Sequence, residues 1–414
     1  MNGPLSKQIF FLGLFFQILF AADTVEQTIQ SAEIVINAFT GVEFRPGIEH
    51  RHLTPHLHEI ALYGHSLPDD IKDQLKAVGF NFSSEFVSRR TTNNERSEGV
   101  GLDQHHDFGI FEKPDALAAV SQGITTLFIG QDGFSNQPLA DLTKKLRRKP
   151  VAVNIASFSG HNSLREIVLG KDFKRTALKL EIEKMSELLD ADMNAGAWGL
   201  SSGLEYDPGI YSNTEEVIAL ARIAAAKGGR YISHIRSEDR YFWEAVDEII
   251  AIGEETGVAV QISHMKLALQ RLLGKTDQLK ATLDKARSEG IEISADIYPY
   301  TYWQSTMQVL FPERNFNDRS EAEFVLSQIS TPSGNAHTQF LSNPDYVGKT
   351  LQQISEIRNE DAPTTLLALI AETLDENISE SIIAESMTQD DIIDLIKWDY
   401  TNICTDGGSD GGHP

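Results

Sequence analysis

Short apolar runs alternate with longer amphipathic stretches along the chain from about residue 100 onward. Buried parallel strands have this short apolar character, and amphipathic helices connect them, so the alternation predicts consecutive β/α units. Eight strands are predicted, and they cover Val100–Asp103, Thr125–Gln131, Pro150–Ser157, Gly199–Leu204, Tyr231–Ile235, Val258–Ser263, Ile291–Ile297 and Thr401–Thr405. Eight such units predict an α/β protein with a (β/α)8 TIM-type barrel, in which the functional site lies at the C-terminal ends of the strands.

Helices are predicted between these strands at Pro114–Ser121, Ala177–Met193, Thr214–Ala226, Tyr241–Thr256 and Lys275–Ser288. Two regions interrupt the alternation. Residues 301–400 separate the last two strands by far more than an ordinary connection, so we expect an insertion there, helical and with its own core. Residues 23–99 begin with a strand-like run and then become irregular, which predicts a partial N-terminal β segment before a barrel over 100–414.

The N-terminus has the pattern of a secretory signal. Lys7 precedes an apolar run over 9–20, which is followed by Ala21 and Ala22. This run is shorter than the about 20 residues that a membrane-spanning helix needs, so a signal peptide over 1–22 is predicted, with a buried helix as the alternative. We therefore expect a periplasmic or secreted protein that has no membrane contact after signal cleavage.

The amino-acid composition limits the kinds of partner that the chain can bind. Sixty acidic against 36 basic residues give a formal net charge of −24, which repels phosphate backbones and excludes nucleic acid as a partner. The single cysteine, Cys404, excludes an intramolecular disulfide framework. Histidines and carboxylates are plentiful, however, and the expected partner is a small-molecule substrate at a metal site.

Histidines and carboxylates follow the predicted strands at their C-terminal ends. In chain order these residues are Asp103, His105, Asp132, His234, His264 and Asp406. A single strand-end histidine is more often structural, but several at one mouth of a barrel indicate a metal site. Neutral imidazoles with carboxylates suit one or two divalent ions such as Zn²⁺, and an open coordination position would hold a hydrolytic water.

Four motifs carry a resemblance to a known family, and they are GLSSGLEYDPG at 199–209, SHIRSE at 233–238, VQISHMK at 260–266 and CTDGG at 404–408. In this order and on these strands they resemble the N-acyl-D-amino-acid deacylases, or D-aminoacylases, of the metal-dependent amidohydrolase superfamily. The resemblance covers 100–310 and 395–414. It implies a metal-bearing barrel, a small β-domain made from both chain ends, and hydrolysis of an N-acyl amide to a carboxylate and a free amino acid of D configuration.

The resemblance also implies roles for single residues. His234 and His264 match the family's metal ligands on strands five and six, and Asp132 falls where the family carries a metal-binding cysteine. Asp406 matches the aspartate that orients the water, takes its proton and later protonates the leaving amine. The family's substrate-handling positions are matched by Lys266, Tyr298 and Ser305.

The sequence departs from the family at the first predicted strand. The family has His-x-His there, and His105 matches the second histidine whereas Asp103 stands in place of the first. The pairs at 50–52 and 56–58 are alternative His-x-His candidates, and they can equally be solvated loop histidines. The chain also stops at Pro414, where the family continues, so we expect a truncated C-terminus.

The predicted function is metal-dependent hydrolysis of the amide bond of N-acyl amino acids, with Asp406 as general base and then acid. Lys266 would hold the substrate carboxylate. Arg236 is a second candidate for that role, independent of the family, because a guanidinium fork matches a carboxylate with two parallel hydrogen bonds. The alternatives are another amidohydrolase that acts on cyclic amides or dipeptides, and a degenerate, non-catalytic relative or fragment.

Overall fold

The computed structural model describes residues 109–120, 123–376 and 379–407. The strands of this part of the chain are β1 (Thr126–Ile129), β2 (Asn154–Ser157), β3 (Ser159–Gly160), β4 (Gly199–Gly203), β5 (Arg230–His234), β6 (Ala259–Ile262), β7 (Ile293–Ile297), β8 (Tyr302–Ser305), β9 (Asn335–Phe340), β10 (Glu380–Glu385) and β11 (Thr401–Ile403). Its α-helices are α1 (Gly109–Glu112), α2 (Leu117–Val120), α3 (Leu139–Arg148), α4 (His161–Leu169), α5 (Lys179–Ala195), α6 (Thr214–Ala226), α7 (Phe242–Thr256), α8 (Thr276–Ser288), α9 (Arg319–Gln328), α10 (Leu351–Arg358), α11 (Ala362–Glu376) and α12 (Gln389–Ile396).

Parallel strands form the centre of the molecule. Six of them pair in the order β11-β7-β6-β5-β4-β3, and β1 pairs with β2. Because β2 continues into β3 after a single residue, the chain passes through seven successive parallel strand positions. Ser263 Oγ, just after β6, donates to Gln131 Oε1, just after β1, at 3.4 Å, so strands four positions apart meet at their ends. The sheet therefore curls as a TIM-type barrel does, which confirms the predicted fold class. The first predicted strand, Val100–Asp103, and the N-terminal segment 23–99 lie outside the described residues.

The helices of the barrel form where the apolar periodicity predicts them. Helix α6 matches its predicted bounds residue for residue, because Asn213 Oδ1 accepts a hydrogen bond from Glu216 N and caps the first turn. Helix α7 buries Phe242, Val246 and Ile249 on the face towards the sheet. The helix predicted at Pro114–Ser121 is shorter, since only α2 is helical there.

The insertion between β7 and β11 differs from the expectation of a helical segment. Strands β8, β10 and β9 form an antiparallel sheet in that order, and α9, α10 and α11 pack together beside it. Strand β10 pairs with β8 across almost eighty residues of chain, with Ile382 opposite Ser305. These strands are so short that their alternation of apolar and polar residues did not predict them. Helix α12 then returns to the barrel and packs against α8 and β11.

Within the described ranges, none of the helices has both the length and the apolar character needed to cross a membrane.

Candidate metal centre

Three of the predicted site residues have a left-handed backbone two or three residues after the end of a barrel strand. Asp132, His264 and Asp406 have φ angles of 50°, 36° and 50°, and they are three of the six non-glycine residues with positive φ in the described chain. Such a conformation costs roughly 1–3 kcal/mol and is concentrated at functional sites. The glycine that ends β4 permits this arrangement, because a Cβ on Gly203 would lie 2.3 Å from the carbonyl oxygen of Asp132.

The side chains of Asp132, His234 and His264 converge at the mouth of the barrel. His234 Nδ1 lies 3.0 Å from His264 Nε2, which lies 3.2 Å from Asp132 Oδ2. All three residues are buried, with at most 2% of their surface exposed. One ligand atom from each falls within 4.8 Å of the others. The structure thus brings together three of the predicted metal ligands from three different strands.

A divalent ion fits this donor set. Two imidazoles and one carboxylate form the set that holds catalytic zinc while a fourth position stays open. The electrostatics of the cluster also favour a cation there. Burial and the Lys266 ammonium lower the pKa of His264, but Asp132, Glu238 and Asp406 outweigh both and hold this pKa well above its ordinary value. The cluster therefore favours positive charge at His264, which is where an ion would lie.

The backbone of His264 is fixed by a further carboxylate. Asp296 on β7 accepts hydrogen bonds from His264 N and from Gln261 Nε2, both at 2.6 Å. Burial raises the pKa of Asp296. Asp296 thus holds the turn after β6 in its left-handed conformation.

Two buried glutamates face the outer sides of the histidine rings. Glu205 Oε2 lies 2.9 Å from His234 Nε2, and Glu238 Oε1 lies 3.0 Å from His264 Nδ1. Sequence reasoning did not single out either glutamate, although both lie in motifs that carry the family resemblance. The available signal was their position, since Glu205 follows β4 by two residues and Glu238 follows β5 by four.

Lys266 lies directly beside these groups. Its Nζ is 2.6 Å from Glu238 Oε1 and 2.8 Å from His264 Nδ1, and it lies 5.5 Å from the centre of the Tyr298 ring. Among the described residues that line the adjoining cavity, Lys266 is the one lysine or arginine. This placement suits its predicted role as the holder of a substrate carboxylate.

A cavity that is open to solvent lies beside the cluster. Asp406 lines it together with His234 and His264, so the predicted general base lies at the same site as the predicted metal ligands. Ser305, another predicted substrate contact, also lines the cavity. The insertion supplies most of the apolar lining through Trp303, Val309, Leu310 and Ile329.

Tyr298 is buried beside Lys266, is not among the residues that line the cavity, and stacks on Tyr300 with ring centres 4.8 Å apart. In the described part of the chain its hydroxyl group has no hydrogen-bond partner. Burial raises the pKa of Tyr298 well above its ordinary value, so this hydroxyl group stays a neutral donor. Cys404, two residues before Asp406, is buried and contributes to the packing of β11.

The guanidinium group of Arg236, a predicted substrate clamp, is paired with a carboxylate of the barrel. Its Nε donates to Glu248 Oε2 at 2.8 Å and its Nη2 to Glu248 Oε1 at 2.9 Å, so its fork is already paired with a carboxylate on α7. Arg236 also lies outside the set of residues that line the cavity. It therefore ties β5 to α7. Lys266 is also paired with a carboxylate, that of Glu238, but it lines the cavity and so remains the candidate clamp. The first-strand candidates Asp103 and His105, and the histidine pairs at 50–52 and 56–58, lie outside the described residues.

Several known proteins have sequences related to this chain. The N-acyl-D-glutamate deacylase of Alcaligenes xylosoxydans xylosoxydans is 29% identical over 367 residues, which cover 83% of this chain and 70% of that protein. The D-aminoacylase of the same organism is 33% identical over 219 residues, which cover 47% of this chain and 45% of that protein. No protein-family model matches the chain.

Two solved structures are similar to the chain in both sequence and fold. N-acyl-D-glutamate deacylase from Bordetella bronchiseptica superposes with a TM-score of 0.64 at 27% identity, over 74% of this chain and 64% of that one. A D-aminoacylase described as defining a novel subset of amidohydrolases gives a TM-score of 0.63 at 26% identity, over 75% and 65%. The chain thus spans a little less than two thirds of each solved structure.

A parallel barrel with two histidines and a carboxylate gathered at its strand ends is the architecture of a metal-dependent amidohydrolase. Within that superfamily, the sequence and fold of the chain are similar to those of the N-acyl-D-amino-acid deacylases, or D-aminoacylases.

Proposed function

We propose that the chain hydrolyses the amide bond of an N-acyl-D-amino acid with a bound zinc ion. The observation that carries this proposal is the cluster of Asp132, His234 and His264 beside Asp406 at one cavity. The relatives support it, since the Bordetella bronchiseptica deacylase is complexed with zinc and with a phosphonate that mimics the tetrahedral intermediate of the reaction. The D configuration rests on the relatives alone.

Asp132, His234 and His264 would hold the zinc ion. A zinc ion bound there would polarise the scissile carbonyl group and lower the pKa of a coordinated water towards about 7. Asp132 differs from the family's cysteine in presenting a hard oxygen donor, so this centre should accept harder divalent ions more readily than a thiolate would.

Asp406 would move the proton. Its carboxylate accepts a proton from the attacking water and later delivers it to the nitrogen of the leaving amine. Its left-handed backbone, three residues after β11, turns the side chain into the cavity that His234 and His264 also line. General acid–base catalysis of this kind contributes about 10²–10⁴-fold to the rate.

Lys266 and Ser305, which line the cavity, would bind the substrate, and Tyr298 would assist from beside Lys266. The Lys266 ammonium is the cation at the cavity and would pair with the carboxylate of the amino acid. The buried Tyr298 hydroxyl group offers a hydrogen bond that the described residues leave unused. The apolar wall of Trp303, Val309 and Leu310 would pack against the acyl group.

Steady-state hydrolysis by the purified zinc-loaded protein tests this function. The panel should contain N-acetyl-D- and N-acetyl-L-amino acids, a cyclic amide and a dipeptide. Release of the free D-amino acid that stops on chelation and returns with zinc is the expected result. Turnover of only the cyclic amide or the dipeptide would instead favour another amidohydrolase activity. Stoichiometric zinc without any turnover would identify a degenerate relative.

Export to the periplasm or beyond is proposed from the sequence alone, since the run over 9–20 lies outside the described residues. Fractionation of cells that express the chain, with N-terminal sequencing of the product, tests it. A product found outside the cytoplasm and cleaved near residue 22 would support export, and an uncleaved cytoplasmic product would contradict it.

A further inference from the structure

Two apolar residues of the cavity lining lie on one short turn of the insertion. This wall turn, the 3-10 helix Met307–Leu310, follows β8 and carries Val309 and Leu310, which both line the cavity. Glu205 and Tyr206, on the barrel loop after β4, line the same cavity. The space between these two parts of the lining therefore depends on the contacts that hold the wall turn to the loop after β4.

Arg314 makes these contacts. Its Nη1 donates to the main-chain oxygen of Gln308 in the wall turn at 3.0 Å, and to that of Phe311 directly after it at 2.9 Å. On the loop after β4, its Nη2 donates to the main-chain oxygen of Glu205 at 2.6 Å, and its Nε donates to Asp207 Oδ1 at 3.0 Å. One guanidinium group thus bonds to the wall turn and to the barrel at the same time.

The backbone of Arg314 also has an unusual conformation. Its φ of 51° lies in the left-handed region, which residues other than glycine adopt rarely. Such a backbone persists where the surrounding contacts hold it, and it is concentrated at ligand-binding and active sites. The Arg314 side chain is only 12% exposed, and its four hydrogen bonds supply these contacts.

Arg240 makes a second, weaker contact with the wall turn. It lies between β5 and α7, and its Nη2 is 3.4 Å from the main-chain oxygen of Leu310, which is long for a hydrogen bond. Its Nη1 pairs with Glu321 on α9, and its guanidinium carbon lies 4.6 Å from the centre of the Phe324 ring. Arg240 therefore holds α9 more firmly than the wall turn, and Arg314 is the stronger tie at the cavity.

We propose that Arg314 is a positioning residue that determines which acyl groups the cavity accepts, because it holds Val309 and Leu310 at a fixed distance from the barrel. This inference rests on the proposed function, since it concerns the acyl group of the substrate. A fixed wall excludes an acyl chain that is too long and leaves apolar surface unfilled by one that is too short. One methylene group in an apolar pocket changes kcat/KM by about 10–200-fold.

The chemistry of arginine suits this role. Its planar fork directs five N–H groups at fixed angles, so one side chain can bond to acceptors on two separate segments. A lysine has a single ammonium group and cannot reproduce that geometry. Arg314→Lys therefore keeps the charge and releases the wall turn from the loop after β4.

A purely structural role predicts a different result. If Arg314 only stabilised the insertion, its loss would lower the activity on every substrate by a similar factor. Release of the wall turn would instead change the ratio between substrates that differ in the acyl group. It would act mainly through KM, because Asp132, His234, His264 and Asp406 are left in place.

Kinetics on a series of N-acyl-D-amino acids test the proposal. The amino acid is kept constant, and the acyl group is acetyl, butyryl, hexanoyl or octanoyl. Arg314→Lys should reduce the ratio of the highest to the lowest kcat/KM by about tenfold, through KM, with kcat for the preferred substrate within about twofold. Arg319→Lys is the matched control in the same insertion, since Arg319 is exposed and pairs with Asp361 and Glu323, and it should leave the ratio unchanged.

A direct change to the wall turn tests whether the acyl group reaches it. Val309→Ala removes two methyl groups from the lining and should shift the preference towards longer acyl chains. The same substitution should have a smaller effect in the Arg314→Lys background, where the wall turn no longer limits the space. An unchanged preference in Val309→Ala would show that the acyl group does not contact this turn, and would overturn the proposal.

The remaining outcomes are also decisive. Thermal unfolding midpoints show which variants fold, and Asp207→Ala, which removes the carboxylate partner of Arg314, replaces Arg314→Lys if that variant does not fold. An equal loss of kcat/KM for every acyl chain would show a structural role alone and overturn the inference. If the wild-type protein hydrolyses none of the series, the proposed function fails. Titration calorimetry with the same compounds then tests the inference separately. Dissociation constants whose ratios are the same in wild-type and variant protein, or an absence of binding, would overturn it as well.

Discussion

His234 Nδ1 and His264 Nε2 face each other at 3.0 Å, although the two residues belong to neighbouring strands. Burial lowers the pKa of His234 to about 3, whereas Asp132, Glu238 and Asp406 outweigh burial and Lys266 and hold the pKa of His264 well above its ordinary value. These carboxylates thus favour the charged form of the His264 ring in the metal-free protein. A zinc ion and a proton compete for this ring, because zinc binds its deprotonated form.

The first prediction concerns pH. The folded-state pKa of His264 lies above its unfolded value, so in the metal-free protein its protonation adds stability that is fully present below about pH 6.5. This stability is lost as the pH rises through the folded-state pKa. The unfolding midpoint of the metal-free protein should therefore fall from pH 6 to pH 9. The increase in midpoint on adding zinc should grow over the same range, because zinc binds the deprotonated ring. Thermal melts with and without zinc measure both trends, and a zinc effect independent of pH would contradict the account.

The second prediction concerns Asp406. Asp406→Asn should lower kcat by about 10²–10⁴-fold, because an amide cannot take the proton from the water. Zinc content should stay unchanged, since Asp132, His234 and His264 supply the ligands. Asp399→Asn makes the same charge change on an exposed residue before β11 and should leave kcat as it is. A near-normal kcat for Asp406→Asn would rule out its role as general base.

The third prediction concerns the carboxylate ligand. Asp132→Cys should keep zinc bound and increase the preference for Zn²⁺ over Mn²⁺, because a thiolate is the softer donor. Asp132→Ala should lose most of the zinc affinity. Competition between the two metals in wild-type and variant protein, read by elemental analysis, checks this. Full zinc affinity in Asp132→Ala would show that Asp132 is not a ligand.

The fourth prediction concerns the insertion. Glu380 on β10 accepts a hydrogen bond from Met307 N at 2.6 Å, but burial raises the pKa of Glu380 to about 7. Its folded-state pKa exceeds the unfolded value of 4.5, so the contribution to stability is present below pH 4.5 and is lost as the pH rises through 7. Glu380→Gln keeps the acceptor without the charge and should raise the free energy of unfolding at pH 8 by about 2–3 kcal/mol. Denaturant titrations at pH 5 and pH 8 measure the difference, and an equal effect at both pH values would contradict this origin.

Much of the barrel could be predicted because its strands are buried on both faces and its helices are amphipathic. His234 and His264 were identifiable since each ends or directly follows such a strand. The antiparallel sheet of the insertion was not, because β8 finds its partner β10 nearly eighty residues later. The pattern of apolar and polar residues within β8 does not show which distant strand it pairs with.

Pairings between side chains could not be predicted from the sequence either. Arg236 has the chemistry of a substrate clamp, but Glu248 lies within its reach only because α7 folds back against β5. Glu205 and Glu238 lie in the family motifs, but the sequence does not show which histidine ring each of them contacts. Sequence alone identifies residue types at a strand end and leaves their orientation open.

Anomalous diffraction at the zinc edge, recorded from crystals grown with zinc, tests the central claim most directly. We expect a peak bounded by Asp132 Oδ2, His234 Nδ1 and His264 Nε2, with Glu205 beside the His234 ring and Glu238 beside the His264 ring. A peak between Glu205 and Glu238, or a metal-free cluster at saturating zinc, would contradict it.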